Sequence, residues 1–295
     1  MEFNSALAEH VFERVGGNCV HPTDIEGLTL FSSTQNIPVM PIVLQPSICF
    51  VLQGSKQLSS GKSVYQYDPS TYLINSVTRP VDASVSHVDH DRPYVGASLR
   101  IDRQMVGQLM MEMSQWQSDD ALEQQMELTQ STAITPEIMG NLARLIRTAD
   151  DPMDRQVLSA SLCRELYYQV LKGPSGGLLR NSVNNHAGAN RITPVVHYIE
   201  QHFERNLGID EISDVAGMSA STLHEHFKQV TSVSPMQYVK SLRLHKARSM
   251  LSLGSQVAEV CYAVGYSSPS QFSREFKRYF GITPSEARSA VIAIG

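Results

Sequence analysis

IDEISDVAGMSASTLHEHFKQV, residues 209–230, and QVAEVCYAVGYSSPSQFSREFKRYF, residues 256–280, write one pattern twice. Ile212, Val215 and Gly217 match Val260, Ala263 and Gly265 at an offset of 48. After the turn, Leu223, Glu225, Phe227 and Lys228 match Phe272, Arg274, Phe276 and Lys277 at an offset of 49, so the second turn is one residue longer. Ser213 and Cys261 are small enough for two helices to cross closely, and each glycine supplies the backbone freedom of a tight interhelical turn. Ser219 reads as an N-cap, and Ser268-Pro269 as a cap followed by a first-turn proline. Leu223 with Phe227, and Phe272 with Phe276, stand four apart and bury one face of each second helix. The opposite faces are left for a partner, and a helix-turn-helix offers its second helix to the DNA major groove.

Between the copies lies SPMQYVKSLRLHKARSMLSL, with Ser234 as cap, Pro235 in the first turn, and Tyr238, Leu242, Leu244 and Leu251 as apolar positions. It reads as one long helix holding two recognition helices apart. Successive major-groove segments recur about every 34 Å along one face of DNA, the distance such a spacer must serve.

The stretch from Arg191 to Arg288 resembles the DNA-binding domain of the AraC/XylS transcriptional regulators. Its second half, EVCYAVGYSSPSQFSREFKRYFGITPSEAR, is similar to the family signature in which GF or GY, an F-x-R-x-F-K run, FG and TP-S follow in fixed order. The resemblance implies seven helices with two helix-turn-helix units. Start signals stand at Thr193-Pro194, Asp210, Ser219, Ser234-Pro235, Ser255, Ser268-Pro269 and Thr283-Pro284. Carried over from the family, the base-reading positions fall on Ser221, His224 and Glu225 in the first unit and on Ser270, Gln271 and Arg274 in the second. Arg274 suits a bidentate contact to guanine and Gln271 a pairing with adenine. Glu225 departs from the arginine common in relatives; it reads either as an acceptor for cytosine N4 or as a solvated charge near a basic residue. The second unit is therefore expected to dominate specificity and the first to position the protein. Lys228, Lys240, Arg243, Lys277 and Arg278 are candidate phosphate contacts, with an internal acidic partner the other reading for Arg243.

Residues 191–295 carry a net charge of +2 and residues 1–190 a net of −7, which places any DNA contact in the C-terminal part. Cys19, Cys49, Cys163 and Cys261 are scattered without metal-ligand spacing and read as reduced thiols. No basic leader and no apolar run of spanning length stands in the chain, so a cytoplasmic protein without membrane contact is expected. His197, His202, His224, His226 and His245 are irregularly spaced and read as packing or surface residues.

KGPSGGLLRNSVNNHAGAN, residues 172–190, is rich in Gly, Ser and Asn. It reads as a linker over 173–190 between domains at 1–172 and 191–295, with Leu178 and Leu179 docking on one of them. From Gly27 to Ile101 the segments LTLFSST, SICFVLQG, KQLSSGKSVYQY, TYLINS, VDASVSHV and YVGASLRI predict an antiparallel sheet of six or more strands, with a hairpin at Ser60-Gly61. MVGQLMMEM, PEIMGNLARLIRTA and DRQVLSASLCRELYYQVLK are helical, the second starting at Thr135-Pro136. The fold class is α+β: a β-barrel with trailing helices, then an all-α domain with two helix-turn-helix units joined by a long helix.

PSICFVLQGSK, YDPSTYLINSVTRPV and RPYVGASLRID resemble the cupin-like N-terminal domain of a subgroup of these regulators, which implies effector binding or dimerisation. Ile42, Cys49, Tyr72, Ile74 and Tyr94 are candidate wall residues of an effector pocket inside the barrel, with ordinary core the other reading. An alternative is a cupin-type metal-dependent enzyme fused to a DNA-binding domain, with His87, Asp89 and His90 as ligand-type groups. Strand alternation separates 87 and 89 from 90, and Pro93 suggests a turn, so neither metal nor cofactor is expected. A DNA-repair protein with a sacrificial thiol would need clustered cysteines. The resemblance implies promoter DNA as partner, RNA polymerase as the target of activation, a small-molecule effector, and a homodimer as a further association.

Overall fold

The structure, a computed structural model, describes residues 2–61, 63–114, 129–183 and 192–288. Strands β1 (Cys19–Pro22), β2 (Leu28–Ser33), β4 (Ser47–Gln53), β7 (Thr71–Asn75), β9 (Tyr94–Arg100) and β10 (Thr129–Ala133) form one antiparallel sheet in the order β1-β2-β9-β4-β7-β10. The second sheet runs β3-β8-β5-β6, from β3 (Ile37–Leu44), β5 (Lys56–Ser60), β6 (Ser63–Tyr67) and β8 (Arg79–Val85). The expected barrel is thus two sheets that no continuous ladder closes. Their ends come near where Ser131 Oγ donates to the Gln66 carbonyl at 3.5 Å. Pro38 and Pro41 lie in β3 and Pro22 in β1, both terminal strands, where proline is best tolerated in a sheet.

Strand β4, SICFVLQ, is buried on both faces, which is why it reads as an apolar run rather than an alternation. Ile48, Phe50 and Leu52 join the core beneath the helices, whereas Cys49 and Val51 join the core between the sheets. The helical layer consists of α1 (Glu2–Val15), α2 (Arg103–Met113), α3 (Pro136–Thr148), α4 (Pro152–Lys172) and α5 (Gly176–Val183). Thr135 caps α3 as expected, accepting from the Ile138 amide at 3.3 Å. Helix α1 has no counterpart in the sequence reading. It buries Leu7, Ala8 and Val11 in the helical core, and His10 and Arg14 bond Asp150 at the α3–α4 junction.

Within the stretch 173–190 expected as a linker, Gly176–Val183 form helix α5. Leu178 and Leu179, in α5, are 5% and 0% exposed, and Arg180 donates to the Leu171 carbonyl at 3.1 Å, so the N-terminal unit runs on to Val183. Residues 184–191 lie outside the described residues. The hairpin at Ser60-Gly61 forms between β5 and β6, with Gly61 at φ 59.

Seven helices follow among the described residues: α6 (Ile192–His202), α7 (Ile209–Ala216), α8 (Ala220–Thr231), α9 (Pro235–Ser252), α10 (Val257–Ala263), α11 (Pro269–Phe280) and α12 (Pro284–Ala287). Ser219, Ser234, Ser268 and Thr283 are the N-caps expected, whereas α7 starts after Gly208 and α10 after Gln256. Helix α9 belongs to two cores: Tyr238 and Val239 pack with α6, α7 and α8, while Leu244, Ala247 and Leu251 pack with α10, α11 and α12. The same helix meets the N-terminal unit, where the Tyr238 hydroxyl donates to the Thr78 carbonyl at 2.9 Å.

Candidate nucleic-acid interface

Both helix-turn-helix units close their first helix in the same way. The Gly217 amide bonds the Asp214 carbonyl and the Met218 amide the Ser213 carbonyl; Gly265 and Tyr266 repeat this on Tyr262 and Cys261. These are Schellman ends, and the glycines adopt the left-handed conformation they require, at φ 60 and φ 86. The second helices also begin alike. Ser219 accepts from the Thr222 amide and lies 3.0 Å from Ser221 Oγ, and Ser268 accepts from the Gln271 amide and lies 3.0 Å from Ser270 Oγ.

Leu223, Phe227, Phe272 and Phe276 are fully buried, so the other side of each helix is free. On α8 it carries Ser221, His224, Glu225 and Lys228, all exposed, at a spacing that keeps them on one face. On α11 it carries Ser270, Gln271, Arg274, Lys277 and Arg278, also exposed. The structure brings each set together as the pattern predicts. Arg274 lies along its helix, Nε donating to the Ser270 carbonyl at 3.3 Å.

Two candidate phosphate contacts are placed differently from the expectation. Lys240 is tied 3.0 Å from Glu275 Oε2, and Arg243 points inward, Nε donating to the Phe203 carbonyl at 2.7 Å and Nη2 to the Arg205 carbonyl at 2.6 Å. Arg243 thus meets main-chain oxygens rather than an acidic side chain. Glu275 also accepts from the Tyr266 hydroxyl at 2.9 Å. Its partial burial works to raise the carboxyl, but bonds from Lys240 and Tyr266 outweigh it and hold the group below the usual carboxylate range. The sequence reading missed Glu275. Its only signal was an acid among the basic residues of SREFKR.

The five candidate effector-pocket residues do not share a cavity. Cys49 and Tyr94 face the core between the sheets and Tyr72 and Ile74 the helical core, because alternate residues of a strand point to opposite faces. Ile42 joins Cys49 and Tyr94 in the core between the sheets and also borders a cleft of about 1110 Å³ between the two domains. Arg100 and Arg103 line it from one side and Lys246, Arg248 and Arg288 from the other, with Glu200 the only acid among the described residues that line it. Arg103 spans the gap, 2.5 Å from His197 Nε2. Burial lowers the Arg248 guanidinium, which lies 4.9 Å from the Phe280 ring, and burial together with Arg248 pushes His245 down to about 3. Between the sheets a lysine went unnoticed in the sequence: Lys56 is 3% exposed, lies 5.9 Å from the Phe31 ring, and is pushed down to about 8 by burial.

His87, Asp89 and His90 lie on the loop between β8 and β9, where Asp89 caps the Asp91 and Arg92 amides. Among the described residues no group of three His, Cys, Asp or Glu could hold a metal ion, and no helix is long and apolar enough to cross a membrane.

Comparison with known proteins agrees with this architecture. The HTH-type transcriptional activator RhaS of Escherichia coli O1:K1 is 28% identical over 153 residues, 51% of this chain and 54% of RhaS. The chain thus matches about half the length of these curated relatives. An apo variant of ToxT from Vibrio cholerae strain SCE256 superposes with a TM-score of 0.65 at 14% identity, covering 90% of this chain and 97% of ToxT. Wild-type ToxT with a bound unsaturated fatty acid superposes with a TM-score of 0.63 at 15% identity, covering 91% and 96%. The profile of a helix-turn-helix domain matches residues 212–290, and that of the AraC-type transcriptional regulator N-terminus matches residues 24–178, more than half of the chain. The chain belongs to the family of AraC-type transcriptional regulators.

Proposed function

We propose that the chain is a sequence-specific DNA-binding regulator, acting as an activator, in which α8 and α11 enter successive major-groove segments. The observation that carries this is the pair of exposed polar faces, Ser221, His224, Glu225 and Lys228 on one helix and Ser270, Gln271, Arg274, Lys277 and Arg278 on the other. Arg274 and Gln271 are the principal base readers and Lys228, Lys277 and Arg278 the phosphate contacts. Ser221, His224, Glu225 and Ser270 complete the base-facing set. Binding of the purified full chain to promoter fragments, measured from low to physiological salt, tests the reading: it predicts sequence-preferring, salt-sensitive complexes. Equal binding to all fragments would overturn it.

In this reading the N-terminal unit couples a signal to DNA occupancy. The cations facing one another across the interdomain cleft favour a small anionic effector there, since a bound anion relieves their repulsion in one arrangement of the domains more than in another. ToxT, of the same fold, has been seen with an unsaturated fatty acid. Thermal shift of the full chain with fatty acids and with phosphorylated sugars separates the two anion classes. RNA polymerase and a second copy of the chain are the macromolecular partners of this reading, and neither metal nor cofactor takes part in it.

A further inference from the structure

The two reading units are joined twice. Helix α9 is one connection, 18 residues long and so about 27 Å. A second lies off its axis. Lys240 and Arg243, three apart on α9, reach in different directions: Lys240 to Glu275 on α11, and Arg243 to the Phe203 and Arg205 carbonyls in the loop between α6 and α7. That loop belongs to the first unit. Leu207 is buried in its core, and Arg205 bonds Glu211 of α7 at 2.6 Å, where the Tyr198 hydroxyl also donates. The turn of the second unit rests on the same loop. A Cβ on Gly265 would stand 2.3 Å from the Glu204 carbonyl oxygen, and the Tyr266 ring lies 5.9 Å from the Arg243 guanidinium.

A single helix leaves two bodies free to bend and twist about it; a contact away from the axis removes the twist. We infer that Arg243 and Gly265 are positioning residues that lock the two helix-turn-helix units into one rigid reading head and so select the separation of the two DNA elements it accepts. The inference rests on the reading that both α8 and α11 bind bases. One base pair more or less between two elements moves the second by about 3.4 Å along the axis and by roughly 35° around it. A locked head cannot follow that motion, whereas a head joined by α9 alone follows it by twisting. The guanidinium suits the task because its planar fork holds two carbonyls at once, which an ammonium does not.

The test is selection of bound duplexes from a random-sequence pool with the full chain, followed by sequencing. The wild type is expected to return two sequence elements at one separation, with separations altered by one base pair recovered about tenfold less often, a penalty of about 1.4 kcal/mol. Arg243→Met keeps the apolar stem and loses the fork. It is expected to return the same two elements, with the neighbouring separations rising to within about threefold of the favoured one. Arg243→Lys, which reaches one carbonyl, should fall between them, and it carries the comparison if Arg243→Met does not fold. A folded variant that loses affinity for all duplexes alike and keeps the single separation overturns the inference, because that is what a merely structural arginine does. A wild type that returns one element, or several separations equally, overturns it too while DNA binding stands. A wild type that enriches nothing removes the DNA-binding reading, and the inference with it.

Discussion

Gly217 and Gly265 end equivalent helices with the same pair of backbone hydrogen bonds, yet they are glycine for different reasons. Around Gly217 a Cβ would meet nothing within 4 Å, so only its left-handed backbone demands the residue. At Gly265 the left-handed conformation coincides with the backbone of Glu204 pressed against the Cα. The neighbourhoods diverge in the same direction. At the offset of 49, Arg274 corresponds to Glu225 and Glu275 to His226. Glu275 is tied to Lys240 and Tyr266, whereas His226 is exposed. One backbone plan serves two turns, one pressed against the loop at 203–205 and one with open space around it.

The largest effect should separate the two glycines. Gly217→Ala incurs only the left-handed backbone, about 1 kcal/mol. Gly265→Ala adds the collision with a carbonyl that cannot move without dragging the loop at 203–205, and about 3 kcal/mol or more is expected in all. Urea unfolding of the full chain followed by circular dichroism measures both. Equal losses would mean that the Glu204 contact yields at little cost.

Next in size is the contrast between Arg274 and Glu225. Arg274→Ala should weaken binding to the selected operator by about 1–3 kcal/mol and relax the preference at one base pair. Glu225→Ala should change operator affinity less and raise affinity for unrelated duplexes, since it removes a negative charge from a surface that meets phosphates. Fluorescence anisotropy against operator and scrambled duplexes reads both. If Arg274→Ala weakens every duplex equally, Arg274 is a phosphate contact.

Much of this comparison was legible before the structure. Gly217, Gly265, the serine caps and the buried Leu223, Phe227, Phe272 and Phe276 act within a few residues, where spacing and side-chain chemistry decide the conformation. Seven of the ten strands among the described residues, β2 and β4 to β9, were legible for the same reason, whereas β1, β3 and β10 were not. What escaped depends on distant partners. Lys240 and Arg243 look like free cations until Glu275 and the loop at 203–205 arrive beside them. Tyr72 and Ile74 look like pocket walls until the pairing places Cys49 on the other face of the same sheet. Leu178 and Leu179 sit in a stretch of linker composition, and α2 and α4 supply the surface on which it forms a helix.

A smaller effect distinguishes cations that face outward from those that bind the units together. Lys277→Ala, on the exposed face of α11, should lower the slope of log affinity against log salt by about 1. Lys240→Ala should leave that slope close to the wild type, because its ammonium already answers Glu275. Titrations at four salt concentrations with one operator duplex suffice. A full unit of slope lost in Lys240→Ala would put that lysine on the DNA after all.

The smallest effect is a pH dependence confined to the second unit. The Glu275 carboxyl is held below its usual value in the folded chain. The stability it contributes is therefore complete above the unfolded carboxylate value of about 4.3 and is lost as pH falls through the lower folded value. Glu275→Gln keeps the shape but not the charge, so its deficit in melting temperature relative to the wild type should be visible at pH 7 and shrink below about pH 4. A deficit for Glu275→Gln that is the same at both pH values would mean that the network with Lys240 and Tyr266 holds by shape and hydrogen bonding, with the charge of Glu275 contributing nothing.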